Sequence, residues 1–230
     1  GTLYTGLGGF DLGLAWAGID IRWQAERSPT LRTLLAARWP QAAQFASAKE
    51  AAAQAGPVDL VYGELPADAE WIAAAPIVVA GLRAASWVLV EGRPDNGAQI
   101  MAAGRPLLEA RWRVTYRVLR YATESAAGRA HVRQRVWMLA ARVGRPTAVC
   151  DRVGLRRETP LARPRGLSGP PSAEQPAASL AMLASMRGLP AGWTDGLAED
   201  TARRAVAEAA SPWVGERLGR VLVSLCARAA

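Results

Sequence analysis

The amino-acid sequence predicts an α/β fold with a mostly parallel sheet. A short β-type run at residues 2–4 meets a glycine cluster at residues 6–9, and an amphipathic stretch follows, which gives the order strand, tight turn, helix. The run at Val58–Gly63 is predicted to be a buried strand ending in glycine, and Trp87–Glu91 is continuously apolar up to its final glutamate, as is typical of a parallel strand covered on both faces. Segments with helical character separate the strands, as crossover connections require.

The elements that we predict alternate along the chain. Ser28–Pro29 and Ser211–Pro212 each supply an N-cap and a first-turn proline for a helix. The predicted strands cover residues 2–4, 19–26, 41–45, 58–63, 87–91 and 112–120. The predicted helices cover residues 10–17, 29–39, 47–55, 75–85, 95–111, 197–209 and 212–225, with an interruption of the fifth helix at 104–106.

Length and composition bound the class of protein. The chain has 230 residues, half of them apolar, which is enough to bury a sizeable core. No apolar run reaches the length of a membrane span and no charged-then-apolar leader precedes the first strand, so we expect a soluble cytoplasmic protein without a membrane partner. Cys150 and Cys226 are too few for a disulfide framework or a metal cluster, and His131 is the single histidine. We therefore expect no metal.

The net charge of +8 is unevenly distributed. Residues 1–110 hold 8 basic and 11 acidic side chains, whereas residues 111–230 hold 20 basic and 9 acidic ones, a balance of +11. A generally arginine-rich composition is the alternative explanation, since 27 of the 28 basic residues are arginines, but it does not explain the asymmetry. We expect the second half to carry a surface for a polyanion.

The opening segment 4–10, Tyr-Thr-Gly-Leu-Gly-Gly-Phe, resembles the start of the DNA cytosine-carbon-5 methyltransferases, Phe-Ser-Gly-x-Gly-Gly-Phe. The resemblance implies their doubly wound, Rossmann-like sheet, here with a reduced second lobe, and their S-adenosylmethionine site. It also implies that Glu26, at the end of the second strand, holds the cofactor ribose; a solvated strand-end glutamate is the alternative. The cofactor-binding residues expected are Tyr4, Thr5, Gly6, Leu7, Gly8, Gly9 and Glu26.

The nucleophile of the resembled family is missing. Residues 63–68 read Gly-Glu-Leu-Pro-Ala-Asp where the family has Gly-Gly-Phe-Pro-Cys-Gln, so Ala67 takes the place of the cysteine that attacks the flipped cytosine. Alanine has no atom able to attack. The family's long closing loop is also absent, because only a few residues separate Pro66 from the next predicted helix.

Three other positions of the family's site are retained. Glu91-Gly92-Arg93-Pro94 stands where the family has Glu-Asn-Val-Pro, and residues 131–139 resemble its Gln/His-x-Arg-x-Arg pattern followed by an apolar strand. The resemblance implies that Glu91 pairs with the target cytosine, Arg133 contacts the flipped base and Arg135 buttresses the site. We take these three residues as the catalytic positions.

The resemblance divides the chain into a methyltransferase-like domain at 1–141, a shortened remnant of the target recognition region at 142–179, and C-terminal helices at 180–230. Residues 187–194 match a motif that packs this region onto the core, whereas Ala46–Ser47 and Ala207–Glu208 replace family residues of the cofactor pocket. The expected nucleic-acid-binding residues are Arg133, Arg145, Arg152, Arg156, Arg157, Arg163 and Arg165.

The sequence thus predicts a catalytically degenerate cytosine methyltransferase homologue that acts as a DNA-binding or regulatory module, with an active methyltransferase subunit as a possible partner. S-adenosylmethionine binding is expected to be weak or lost. One alternative is an active S-adenosylmethionine-dependent enzyme in which Glu64, Asp68 or Glu91 serves as general base without a covalent intermediate. The other alternative is a protein-binding scaffold.

Overall fold

The structure, a computed structural model, describes residues 1–64, 85–124, 130–143 and 179–227. The strands are β1 Thr2–Leu3, β2 Trp23–Ala25, β3 Ala43–Phe45, β4 Leu60–Glu64, β5 Trp87–Gly92, β6 Arg113–Glu124 and β7 Ala130–Ala141. The helices are α1 Gly9–Trp16, α2 Pro29–Arg38, α3 Ala48–Gln54, α4 Gly97–Glu109, α5 Leu180–Met186, α6 Glu199–Glu208 and α7 Pro212–Ala227.

Within the described residues the strands form a seven-stranded sheet in the order β3-β2-β1-β4-β5-β7-β6. Strands β1 to β5 run parallel to one another, and β7 runs antiparallel to both β5 and β6. The order reverses beside β1, so that β1 and β4 are neighbours although two strands separate them in the sequence. The predicted doubly wound, mostly parallel sheet is confirmed, and ligands of such sheets bind at the carboxyl ends of the strands, at this reversal.

Apolar side chains cover both faces of the sheet, which explains the continuously apolar strands. Tyr62, Leu89 and Trp137 pack in one cluster with helices α1, α2, α5, α6 and α7. Their neighbours along the same strands, Val88 and Met138, pack in a second cluster with α3 and α4. Successive side chains of a strand point to opposite faces, so both faces of β4, β5 and β7 need apolar residues.

Helix α1 lies unusually close to the C-terminal helix α7. A Cβ atom at Gly13 would collide with the backbone carbonyl of Pro212 and would lie 2.6 Å from the amide nitrogen of Glu216. Only glycine permits that approach. Helix α1, which follows the first strand, is therefore packed tightly against a helix nearly two hundred residues away in the sequence.

Two predicted elements differ from the structure, and one helix was not predicted. The predicted interruption of the fifth helix was wrong, because α4 continues through Pro106 and its residues Ile100 and Leu107 are fully buried; apolar packing outweighs the local cost of the proline. The second strand is limited to Trp23–Ala25, the three residues that pair with β3, and two of them also pair with the short β1. Helix α5 was not predicted, although Ser179 caps it by accepting the amide of Met182.

A buried polar chain lies beneath the turn that joins β1 to α1. The carboxylate of Asp11 is fully buried, and its Oδ1 accepts hydrogen bonds from Thr2 Oγ1 and Gln24 Nε2, each at 2.8 Å. Gln44 Nε2 in turn donates to Gln24 Oε1 at 2.8 Å. Asp11 Oδ2 has no hydrogen-bond partner among the described residues. Burial therefore raises the pKa of Asp11 above its ordinary value of 3.8.

We expect Asp11→Asn to stabilise the protein increasingly as the pH rises. The folded state holds the Asp11 proton more tightly than the unfolded chain, so this contribution to stability is complete below pH 3.8 and is lost as the pH rises through the folded-state pKa. Asparagine does not titrate and keeps an acceptor for Thr2 and Gln24. Urea unfolding of both proteins between about pH 4 and pH 8 measures the difference. The exposed Asp20→Asn is the control, and a pH-independent difference for Asp11→Asn would contradict the expectation.

Candidate cofactor and base-binding site

The glycine turn, residues 4–9, joins β1 to α1 at the carboxyl edge of the sheet. Gly6 and Gly8 have φ angles of 59° and 71°, which glycine adopts without strain, and Gly8 is the N-cap of α1. Tyr4 has a φ of 54°, which is a costly conformation for an aromatic residue. The N-cap of α1 is Gly8, which has no side chain, so the amide groups at the start of the helix receive no hydrogen bond from an N-cap side chain. An anionic or polar ligand is suited to such a place.

Glu26 connects the end of β2 to this turn. Its two carboxylate oxygens accept hydrogen bonds at 2.8 Å from the backbone amides of Gly6 and Ser28. The side chain is half-buried and fixed, rather than solvated at the strand end as in the alternative interpretation. Two of roughly four acceptor sites of the carboxylate are used, so the remaining lone pairs can still receive hydroxyl groups of a ligand.

The position where the resembled family has an aspartate after β3 is occupied differently. Ser47 Oγ accepts the amide of Glu50 at 3.1 Å, and Glu50 Oε2 accepts the amide of Ala46 at 2.7 Å. The first bond caps α3, whose N-cap is Ser47, and the second ties the helix to the amide of the residue before the N-cap. The polar atoms of Ser47 and Glu50 therefore stabilise the helix end.

Glu91 and Arg135 form a buried ion pair at the carboxyl end of β5. Arg135 Nε lies 2.9 Å from Glu91 Oε1, and the two residues are 6 % and 2 % exposed. Glu91 stands opposite Trp137 in the antiparallel β5–β7 pairing, so Arg135, two residues earlier, lies on the same face of the sheet. The structure thus brings together two of the three predicted catalytic positions.

Tyr62 joins this pair to the glycine turn, and the sequence analysis missed it. Its hydroxyl donates to Glu91 Oε2 at 3.1 Å, and its ring stacks on Phe10 with centroids 3.6 Å apart. Phe10 is the second residue of α1. The available signal was a tyrosine within an otherwise apolar buried strand, because a buried phenol needs a hydrogen-bond partner.

Several residues that the sequence predicts for the site lie outside the described part of the structure, in whole or in their side chains. Arg133 lies in β7, but its side chain is outside the described part of the structure. The nucleophile position and the remaining arginines also lie outside the described residues; they are Ala67, Arg145, Arg152, Arg156, Arg157, Arg163 and Arg165.

Comparisons with known proteins agree with this architecture. No protein-family model matches the chain, and no curated protein matches it by sequence. Among solved structures, it is similar to an E. coli prophage protein assigned as a DNA modification methyltransferase, with a TM-score of 0.69 and 12 % identity over 98 % of both chains. It is equally similar to the Dnmt2 methyltransferase of S. pombe, with a TM-score of 0.69 and 12 % identity over 97 % of both chains.

A third similar structure is a DNMT2 mutant of Spodoptera frugiperda, with a TM-score of 0.66 and 12 % identity over 96 % of this chain and 98 % of that chain. The chain has the methyltransferase fold. The glycine turn, Glu26 and the Glu91–Arg135 pair all lie along one edge of that fold, at the carboxyl ends of the parallel strands.

Two searches within the described residues gave negative results. No group of three or more histidine, cysteine, aspartate or glutamate side chains is arranged there to hold a metal ion. Among the helices described, none is long and apolar enough to cross a membrane.

We expect Arg135→Met to lower the free energy of unfolding by about 3–5 kcal/mol, because it leaves the buried Glu91 carboxylate without its cation. The double variant Glu91→Gln, Arg135→Met should lose less free energy of unfolding than Arg135→Met alone, because neither residue of the pair then leaves an unpaired charge in the interior. Chemical denaturation measures both. Arg220→Met is the matched control: it breaks the exposed pair with Glu216 and should cost less than about 1 kcal/mol. Equal losses for the two single variants would contradict the argument.

Proposed function

We propose that this protein is a DNA-binding or regulatory module with a methyltransferase fold that does not methylate cytosine. The observation that carries the proposal is Ala67, at the position of the attacking cysteine in the resembled family. Without a thiolate no covalent bond to the cytosine ring can form, and the ring is not activated for methyl transfer. The shortened stretch after Pro66 points the same way, because it leaves little chain for a closing loop.

The buried Glu91–Arg135 pair does not by itself argue for activity. Loss of either partner would leave the other charge uncompensated in the protein interior. A homologue that has lost its chemistry would therefore be expected to keep both residues for stability. We infer that the pair is retained as part of the packed sheet.

The cofactor pocket is proposed to bind S-adenosylmethionine weakly or not at all. In favour of binding are the glycine turn and the anchored Glu26. Against it are Ser47, whose hydroxyl caps α3, and the replacement of two family residues by Ala207 and Glu208. Each lost hydrogen bond to a buried polar ligand costs about 1–3 kcal/mol, which moves a micromolar site towards millimolar.

The proposed partner is DNA. The charge balance of +11 in residues 111–230 supports a polyanion partner, and one structurally similar protein is assigned as a DNA modification methyltransferase. The Arg- and Pro-rich interval 142–176 offers phosphate contacts more readily than base contacts, so binding should be mostly independent of sequence. An active methyltransferase subunit, which would supply the missing chemistry, is the proposed protein partner.

The second candidate is a cysteine-independent S-adenosylmethionine-dependent enzyme. Glu64 stands beside Glu91 in the parallel β4–β5 pairing, so two carboxylates lie at the carboxyl ends of adjacent strands. One of them, Glu91, is held in a fixed orientation by Tyr62 and Arg135. Such an arrangement could serve a general base. A protein-binding scaffold would account equally for the missing loop.

We expect purified protein, S-adenosylmethionine and duplex DNA to yield no 5-methylcytosine above the level of an Arg133→Ala control. Ala67→Cys alone should not restore activity, since the closing loop is also short. Mass spectrometry of the digested DNA measures the product. Robust turnover by Ala67→Cys would contradict the argument about the loop, and turnover by the unaltered protein would contradict the proposal.

DNA affinity is expected to fall roughly tenfold or more between about 50 and 200 mM salt, if four or more phosphates are neutralised. Replacing Arg156 and Arg157 together by alanine should weaken all sequences alike and flatten the salt slope by at most about two units. Fluorescence anisotropy with duplexes of unrelated sequence measures the DNA affinity at each salt concentration, and heparin serves as a competing polyanion. Absence of binding to either polymer at low salt would contradict the proposal and favour the scaffold.

A further inference from the structure

Three residues, Arg38, Trp39 and Trp193, hold the glycine turn from one side. Trp193 Nε1 donates a hydrogen bond to the backbone carbonyl of Leu7 at 2.9 Å. Both residues are buried, with exposed fractions of 7 % and 1 %. This bond joins two positions 186 residues apart in the sequence.

The same peptide unit is also bonded on its other side. The amide of Gly8 donates to the carbonyl of Thr5 at 2.9 Å, and the carbonyl of Gly8 accepts the amide of Leu12, also at 2.9 Å. The peptide plane between Leu7 and Gly8 is therefore fixed by Trp193 at its oxygen and by Thr5 at its nitrogen. Since Gly8 is the N-cap of α1, this plane sets the direction in which the helix begins.

Trp39 packs against the next residue of the turn. A Cβ atom at Gly8 would lie 2.7 Å from the Trp39 ring, which leaves room only for glycine. The Trp39 and Trp193 rings meet edge to face, with centroids 5.8 Å apart. The two indoles thus contact consecutive residues of the turn and each other.

Arg38, the last residue of α2, fixes Trp193 in place. Its guanidinium carbon lies 4.4 Å from the centroid of the Trp193 ring, within the range of a cation–π interaction. Its Nη2 also donates to the carbonyls of Gly192 and Trp193, at 2.8 and 2.9 Å. A planar guanidinium can stack on the ring and reach the backbone at once, which a lysine ammonium cannot do.

We propose that Trp193 is the positioning residue of the candidate ligand site. Its indole N–H orients the Leu7–Gly8 peptide, and Arg38 holds the indole in the position from which it does so. The start of α1 then presents its amides in one fixed direction, which lowers the cost of ordering the turn when a ligand binds. The choice of S-adenosylmethionine as that ligand rests on the proposed function, whereas the positioning of the turn does not.

Trp193→Phe in the full chain tests the proposal, because it keeps an aromatic ring for Arg38 and removes the N–H donor. We expect amide hydrogen exchange at Gly8 and Leu12, followed by NMR, to become about tenfold faster, with the amide of Leu89 in β5 unchanged. Where the unaltered protein binds S-adenosylmethionine, even with a dissociation constant of about 1 mM, its affinity, measured by titration followed by NMR, should fall by about the same factor. The partly exposed Trp213→Phe is the matched control and should alter neither quantity.

Unchanged exchange at Gly8 and Leu12 in a folded Trp193→Phe protein would overturn the proposal. Faster exchange in a protein that binds no S-adenosylmethionine supports the positioning role and agrees with the loss of cofactor binding in the proposed function. Faster exchange without a loss of measurable affinity overturns the claim that the turn serves the ligand. Should Trp193→Phe not fold, Arg38→Gln is measured at the same two amides, and unchanged exchange there overturns the proposal.

Discussion

Much of the candidate site depends on one buried ion pair, in which the Arg135 guanidinium compensates the Glu91 carboxylate. Glu91 lies at the carboxyl end of β5 with Arg135 at 2.9 Å and Tyr62 at 3.1 Å. Tyr62 in turn stacks on Phe10, the second residue of α1. The pair therefore connects β4, β5, β7 and α1. Because removing either charge alone leaves the other unpaired in the interior, the retention of both is consistent with a protein that has lost its chemistry.

The glycine turn combines structural and ligand-binding roles in a similar way. Glu26 accepts two backbone amides, Trp193 fixes the Leu7 carbonyl, and Gly13 allows close contact with α7. Each of these contacts stabilises the fold in the absence of a ligand. The residues that a ligand alone would require are the ones that differ from the resembled family, Ser47 and Ala207–Glu208. This contrast is the main support for a module with weakened cofactor binding.

The fold was predictable because its signals are local. Mostly apolar runs identified β4 and β5, and Ser28–Pro29 indicated the start of α2. The errors arose where packing between residues far apart in the sequence determines the secondary structure. Helix α4 passes through Pro106 because Ile100 and Leu107 are buried against the sheet. The family resemblance singled out the turn, Glu26, Glu91 and Arg135, and the structure places them along one edge of the sheet, while their roles stay predictions. Tyr62, Arg38 and the Trp193–Leu7 bond were not predictable, since no short pattern links residues so far apart in sequence.

The central claim is that the methyltransferase fold persists here while its cofactor site is weakened. Calorimetric titration of the purified protein with S-adenosylmethionine tests this claim most directly. Our account predicts no detectable heat or a dissociation constant of about 1 mM or weaker. A dissociation constant in the low micromolar range, about 1000-fold tighter, would contradict it and favour the cysteine-independent enzyme.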